Sequence, residues 1–174
     1  MVQYLGRARL VLSSIMNSLT QICRRAYAAL ISVADLLRSP LLLIVRLYFF
    51  WQLLQIGLGK MTNIPKVVEY FGSLGIPLPS LNARIVCGVE TFGSILLIIG
   101  LATRPTALLV LIVMTVAYLT GDRAAVLQIF SDPDQFVKAA PFPFFVMALV
   151  LFFAGPGWIS VDTLVGRMFG KKTD

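Results

Sequence analysis

The segment PLLLIVRLYFFWQLLQIGL, residues 40–58, carries only Arg46, Gln52 and Gln55 as strongly polar side chains. About 20 apolar helical residues cross the ~30 Å hydrocarbon core of a bilayer, so this run reads as a first membrane span. Three further segments approach the same standard. Residues 83–101, ARIVCGVETFGSILLIIGL, form the second and contain Glu90. Residues 105–119, PTALLVLIVMTVAYL, form the third, with Thr103 as its expected N-cap and Pro105 in a first turn where a missing N–H costs nothing. The fourth has an uninterrupted apolar run only over residues 144–154, so its helix is expected to begin near Pro133 and to kink at Pro141 and Pro143.

Composition agrees with that reading. Of 174 residues, 58% are hydrophobic and 13% charged, the formal charge is +7 and histidine is absent; the mean hydropathy is +0.87. A soluble domain carries roughly 25% charged residues. The expected fold is therefore all-α: an integral membrane four-helix bundle with an N-terminal amphipathic interfacial helix and a short C-terminal helix. Without imidazole there is no His-ligated haem, no His-bearing zinc or copper site and no Ser-His or Cys-His relay. Cys23 and Cys87 stand far apart, so no thiol pair or metal knuckle is read. No metal site and no covalently held cofactor is expected, and no basic, aromatic groove for nucleic acid is visible; the lipid bilayer is the first partner.

The chain divides into an interfacial segment (1–39), a membrane domain (40–167) and a basic tail (168–174). On a helical wheel Leu12, Ile15, Leu19, Ile22, Ala26, Leu30, Val33 and Leu37 share one face, and Arg7, Asn17, Gln21, Arg24, Arg25 and Asp35 the other. Such a helix lies in the interface and is drawn to anionic lipid; the alternative reading of this Arg- and Ser-rich segment with one acid is a transit peptide. Between the first two spans, GSLGIPLP at residues 72–79 is turn chemistry, preceded by a short helix over 62–70. Ser131-Asp132-Pro133 reads as a helix start, and Ser160 as the cap of a tail helix with a Val161, Leu164, Val165, Met168 and Phe169 stripe. Nine Lys and Arg fall on the side of the two termini and five on the other, which places both termini in the cytoplasm.

Glu90 is the sharpest feature, because an acid near a helix centre costs about 2.5 to 3.5 kcal/mol on insertion scales. Counting turns from the span ends sets it level with Trp51 and Gln52. Gln52 and Gln55 are its expected partners, with Lys60 as a second. The plain reading is an interhelical polar clamp; the alternative is proton or quinone chemistry, for which Glu90, Gln52, Gln55, Trp51 and Lys60 are the candidate residues. Cys87, Glu90 and Ser94, with Gly93 beside them, make a small face suited to close helix packing. At the cytoplasmic edge Arg46, Arg104 and Asp162 are expected to gather, with Asp162 pairing to one of the arginines.

Arg46-Leu47 followed by Gly57, Gly59 and Lys60, then Gly75-Ile76-Pro77-Leu78-Pro79, Glu90 with Gly93, Gly100-Leu101 with Thr103-Arg104, and Gly155-Pro156-Gly157 with Ser160-Val161-Asp162 together resemble the DoxX family of small four-span membrane proteins. The resemblance covers about Pro40 to Arg167. The N-terminal helix is longer than the family pattern, and Leu119-Thr120-Gly121 stands where a histidine is often found, so no metal-like or haem-like role is carried over. The resemblance implies a bacterial inner (cytoplasmic) membrane protein: a non-catalytic membrane subunit or assembly partner of a redox or respiratory complex with other membrane or soluble subunits. Its alternative implication is a quinone-binding membrane subunit of a thiosulfate:quinone-type oxidoreductase, with quinone as the cofactor.

The two thiols test the orientation. Cys23 should react with an impermeant maleimide only from the cytoplasmic side of membrane vesicles, and Cys87 only after denaturation. Labelling of Cys23 from the opposite side reverses the topology.

Overall fold

The computed structural model describes the backbone of residues 2–168 and of Gly170, and the side chains of Met16 and of residues 20–168. The wheel positions Arg7, Leu12, Ile15, Asn17 and Leu19, the Phe169 end of the tail stripe and the basic residues Lys171 and Lys172 lie outside the described side chains. Nine α-helices are present among the described residues: α1 (Val2–Met61), α2 (Ile64–Ser73), α3 (Pro79–Gly88), α4 (Ser94–Ile99), α5 (Thr103–Thr120), α6 (Arg123–Leu127), α7 (Pro133–Lys138), α8 (Phe142–Ala154) and α9 (Val161–Met168). A single π-helical turn, Val89–Gly93, joins α3 to α4.

Pro40 lies inside α1, with no break there between the amphipathic segment and the first span. The chain divides by packing instead, into one unit of Met1–Arg38 and another of Ser39–Asp174. In the first unit, residues 20–38 are exposed throughout. Thr20 and Ser32 donate their hydroxyls to the Met16 and Ala28 carbonyls at 2.9 Å, so these polar groups are satisfied by their own helix.

Three helices are long and apolar enough to cross a membrane, within Thr20–Met61, Pro79–Ile99 and Thr103–Thr120. The chain is thus an all-α membrane bundle. The fourth expected span differs from its reading. Ala139 is extended at φ −62° and ψ 140°, which separates α7 from α8 outright where a continuous kinked helix was expected. Pro141 disfavours helical backbone at the residue before it, and neither Pro141 nor Pro143 can donate a backbone bond, so the helix restarts at Phe142. The resulting 13-residue α8 rises about 20 Å, short of a full crossing. Around the break, α7 is held to α5: Tyr118 stacks on Phe136 at 4.6 Å and donates its hydroxyl to the Phe136 carbonyl at 2.8 Å.

The core is shared by four helices: Phe50 and Leu53 of α1, Leu97 of α4, Val110 and Met114 of α5, and Ala148 and Leu151 of α8. On α1 the buried positions Ser39, Leu42, Arg46, Phe50, Leu53 and Gly57 recur at helical spacing and form one stripe. Lipid offers no hydrophobic drive to bring helices together, so membrane helices associate where small residues let backbones approach. Gly57 is such a point: a Cβ there would lie 2.6 Å from Thr91 Oγ1, 2.9 Å from Thr91 N and 3.0 Å from the Glu90 carbonyl carbon. On the opposite side of the same segment Gly93 faces Thr106 and Val110 of α5. The small face of the second span is therefore packed on both flanks.

Because two of the three nearest atoms facing Gly57 are backbone, Gly57→Ala should cost about 1 to 3 kcal/mol, read as a lower thermal midpoint in detergent. Gly59, with open space around it, is the control: Gly59→Ala should be neutral or stabilising. Equal effects at both positions mean the close approach does not bear on stability.

Candidate functional site

Gly57 and Lys60 share a face of α1, one turn apart. Arg46 lies against Gly100 and Gly57 against Glu90, so α1 and the α3–α4 segment run antiparallel. Side chains lean toward the N-terminus of their own helix; Lys60 therefore leans back along α1 while Glu90 leans outward to meet it. Lys60 Nζ donates to Glu90 Oε1 at 2.6 Å. The Glu90 side chain is 5% exposed and that of Lys60 35%. The second carboxylate oxygen, Glu90 Oε2, is buried with no hydrogen-bond partner. The π turn adds one more short bond, from Ser94 Oγ to the Glu90 carbonyl at 2.5 Å.

Beside this pair is a cavity of about 500 Å³, lined by residues of α2, α3 and α5. Its polar groups are Lys60, Glu90, Tyr70, Asn82, Thr120 and Asp122, and the remainder of the wall is largely aliphatic and aromatic. Volume and lining both fall in the range of small-molecule sites. The loop over the cavity is fixed by its own bonds: Leu74 N donates to the Tyr70 carbonyl and Ile76 N to that of Phe71, both at 3.1 Å, and Asn82 Nδ2 donates to the Pro77 carbonyl at 2.6 Å. Gly75, at φ +71°, makes the turn in a region that L side chains avoid.

Trp51, Gln52 and Gln55 are all exposed. Gln52 reaches only the Tyr48 carbonyl of its own helix, at 3.5 Å. The expected amide partners of Glu90 are thus replaced by Lys60. Two physical facts account for this. Position around α1 decides contact as much as depth does, and Gln52 and Gln55 lie on the flank away from the buried stripe. The depth was also shifted, since the second helix starts at Pro79, about one turn earlier than its apolar run. Tyr70 and Asn82 carried no spacing signal; only the folding of α2 over the bundle brings them to the cavity.

Arg46, Arg104 and Asp162 do gather at the opposite end, without the expected ion pair. Arg46 is fully buried and donates Nη2 to the Ile159 carbonyl. Its guanidinium occupies the space a side chain at Gly100 would need. Asp162 instead accepts from Ala102 N at 2.7 Å and Thr103 N at 2.9 Å. It caps α5 from outside, in the place expected for Thr103, whose own Oγ1 is buried without a partner. Arg104 is exposed and sits beside Gly155. Ser160 caps α9 as read, accepting from Thr163 N at 3.3 Å.

Fold and site together define a helical membrane protein with an ion pair set beside a cavity. Residues 41–123, which include Arg46, Lys60, Glu90 and Arg104, match the DoxX family model. The inner membrane protein YphA of Escherichia coli is 39% identical over 72 residues, 41% of this chain and 51% of that one; the match spans about half the length of that relative. A Bacillus subtilis protein described as "Putative oxidoreductase CatD" is 28% identical over 67% of this chain and 78% of its own. An uncharacterised Haemophilus influenzae protein is 26% identical over 76% and 87% respectively. No solved structure matches the chain.

Removing one member of a buried pair leaves a charge uncompensated, at about 3 to 5 kcal/mol, whereas removing both costs far less. Lys60 is partly exposed, so Glu90→Leu should fall near the lower bound. The double variant Lys60→Met/Glu90→Leu should recover most of that loss in denaturant titrations. Strictly additive effects mean the two groups are not coupled.

Proposed function

We propose that this chain is a membrane subunit of a redox assembly that holds a quinone headgroup in the cavity beside Lys60 and Glu90. The observation that carries this reading is a largely aliphatic space of about 500 Å³ lined by Lys60 and Glu90, with one Glu90 carboxylate oxygen buried and without a partner. A quinone site needs an apolar slot and a few convergent hydrogen-bonding groups. The residues fit. The Lys60 ammonium has three donors and spends one on Glu90 Oε1, leaving a donor for a quinone carbonyl. Glu90 Oε2 can accept from a quinol hydroxyl. Bound quinone would supply two-electron, two-proton chemistry, and the partner subunits would supply the electrons.

The descriptions of CatD as an oxidoreductase and of YphA as an inner membrane protein support a redox role in a bacterial inner membrane. With both termini cytoplasmic, the cavity lies toward the opposite face. Between the two functions read from the sequence, the quinone-binding subunit gains from the geometry, and Gln52, Gln55 and Trp51 have no part in it.

Duroquinone and its quinol, titrated into the purified protein in nanodiscs, test the reading. Wild type should saturate with both. Hydrogen bonds to charged groups contribute about 1.5 to 3 kcal/mol, so Lys60→Met should weaken the quinone and Glu90→Gln the quinol by about tenfold or more. No saturable binding, or affinities untouched in both variants, would leave a non-catalytic assembly subunit as the better account.

A further inference from the structure

The cavity is walled unevenly. α3 packs against α2, while α5 packs against the π turn and α4. The two spans therefore pack on each other chiefly through the π turn and α4, and less beside the cavity. Of the lining residues on these spans, three aliphatic ones are also well exposed: Ile85 of α3 is 50% exposed, Ile112 of α5 52% and Val116 of α5 42%. A residue that lines a cavity and also faces outward marks an opening. All three side chains are aliphatic and belong to helices of membrane-spanning length, so the medium beyond this opening is hydrocarbon. The polar lining groups Tyr70, Asn82 and Asp122 lie on α2, at the first turn of α3 and after the end of α5, at the rim of the bundle.

We propose that the gap between α3 and α5, framed by Ile85, Ile112 and Val116, is a tail subsite. The ligand of this cavity is a lipid-borne amphiphile that enters sideways from the bilayer; its uncharged head reaches Lys60 and Glu90 and its hydrocarbon chain lies across the gap. This rests on the quinone reading and narrows it to long-chain, membrane-resident quinones. The chemistry of the opening favours such a chain. An aliphatic gap offers no hydrogen bond to a charged or strongly hydrated ligand, whose passage would require desolvation without compensation. A hydrocarbon chain passes from lipid to aliphatic side chains with no such loss, and the branched walls of isoleucine and valine are stiff enough to keep the gap shaped.

Two probes separate the head from the tail. Decylubiquinone carries a ten-carbon chain, and duroquinone carries the ring with methyl groups only. Ile112→Trp and Ile85→Trp each widen a side chain that already points partly into open space, so the bundle should fold as before. In nanodiscs of one lipid composition, both variants should bind decylubiquinone about tenfold more weakly than wild type while duroquinone affinity stays the same. A decyl analogue with a photoreactive group at the chain end should label peptides of α3 and α5. Equal binding of both probes in wild type and variants, equal loss of both, or labelling confined to α1 or α8 overturns the tail subsite and leaves the quinone site standing. Failure of both probes to saturate wild type overturns the quinone site itself.

Discussion

The approach of Gly57 to the backbone of Glu90 and Thr91 sets the geometry on which the rest of the membrane domain depends. It fixes α1 against the second span to within a side chain's width. Once those backbones touch, Lys60 has a single acid within reach on the facing segment, and the Lys60–Glu90 pair follows. The π turn makes the same approach from the other helix. By changing the local winding over residues 89–93 it lets Glu90 and Thr91 face α1 while Gly93 faces α5. Single π turns inside helices are often found at functional sites, and here one carries the acid that lines the cavity.

The opposite end is built on a different principle. There the chain must turn sharply twice, after α4 and after α8, and both turns leave backbone groups that need partners. Asp162 takes two of the N–H groups that open α5 and gives its own N–H to the Gly100 carbonyl at 2.9 Å. Arg46, fully buried, reaches across to the Ile159 carbonyl. The two charges thus work separately, each on backbone from a distant part of the chain, and together they tie the α4–α5 turn to the segment before α9. Ser39 adds a third tie by accepting from Trp158 N at 3.1 Å.

The two ends differ in what lies beside them. At the Arg46 end Asp162 is spent on peptide groups that the turn would otherwise strand, while Arg46 Nε and Nη1 stay buried without a partner. At the Lys60 end a carboxylate oxygen is likewise without a partner, and there both Lys60 and Glu90 line a cavity. Ionisable groups at membrane depth are expensive and mark pathways or binding sites more often than scaffolding. That contrast is why the cavity, and not the charge cluster, is the functional candidate.

Much of the architecture was legible in the sequence because it depends on local composition and spacing. Apolar runs gave the spans, Gly and Pro gave the 72–79 turn and the start of α7, Ser160 gave the α9 cap, and the Cys87, Glu90, Gly93 and Ser94 spacing gave a closely packed face. Depth along the membrane normal was roughly readable for the same reason, by counting turns. That Lys60 and not the glutamines meets Glu90, the cap on α5, the break before α8 and the cavity were not readable. Each depends on which side of a helix faces which neighbour, and that is decided by contacts between residues far apart in the chain: Gly57 with Thr91, Gly100 with Arg46, Asp162 with Ala102 and Thr103. Sequence by itself determined that this is a helical membrane protein and where its polar residues fall along the spans. Tertiary structure alone decided which of them meet, because rotation about a helix axis costs nothing until another helix packs against it.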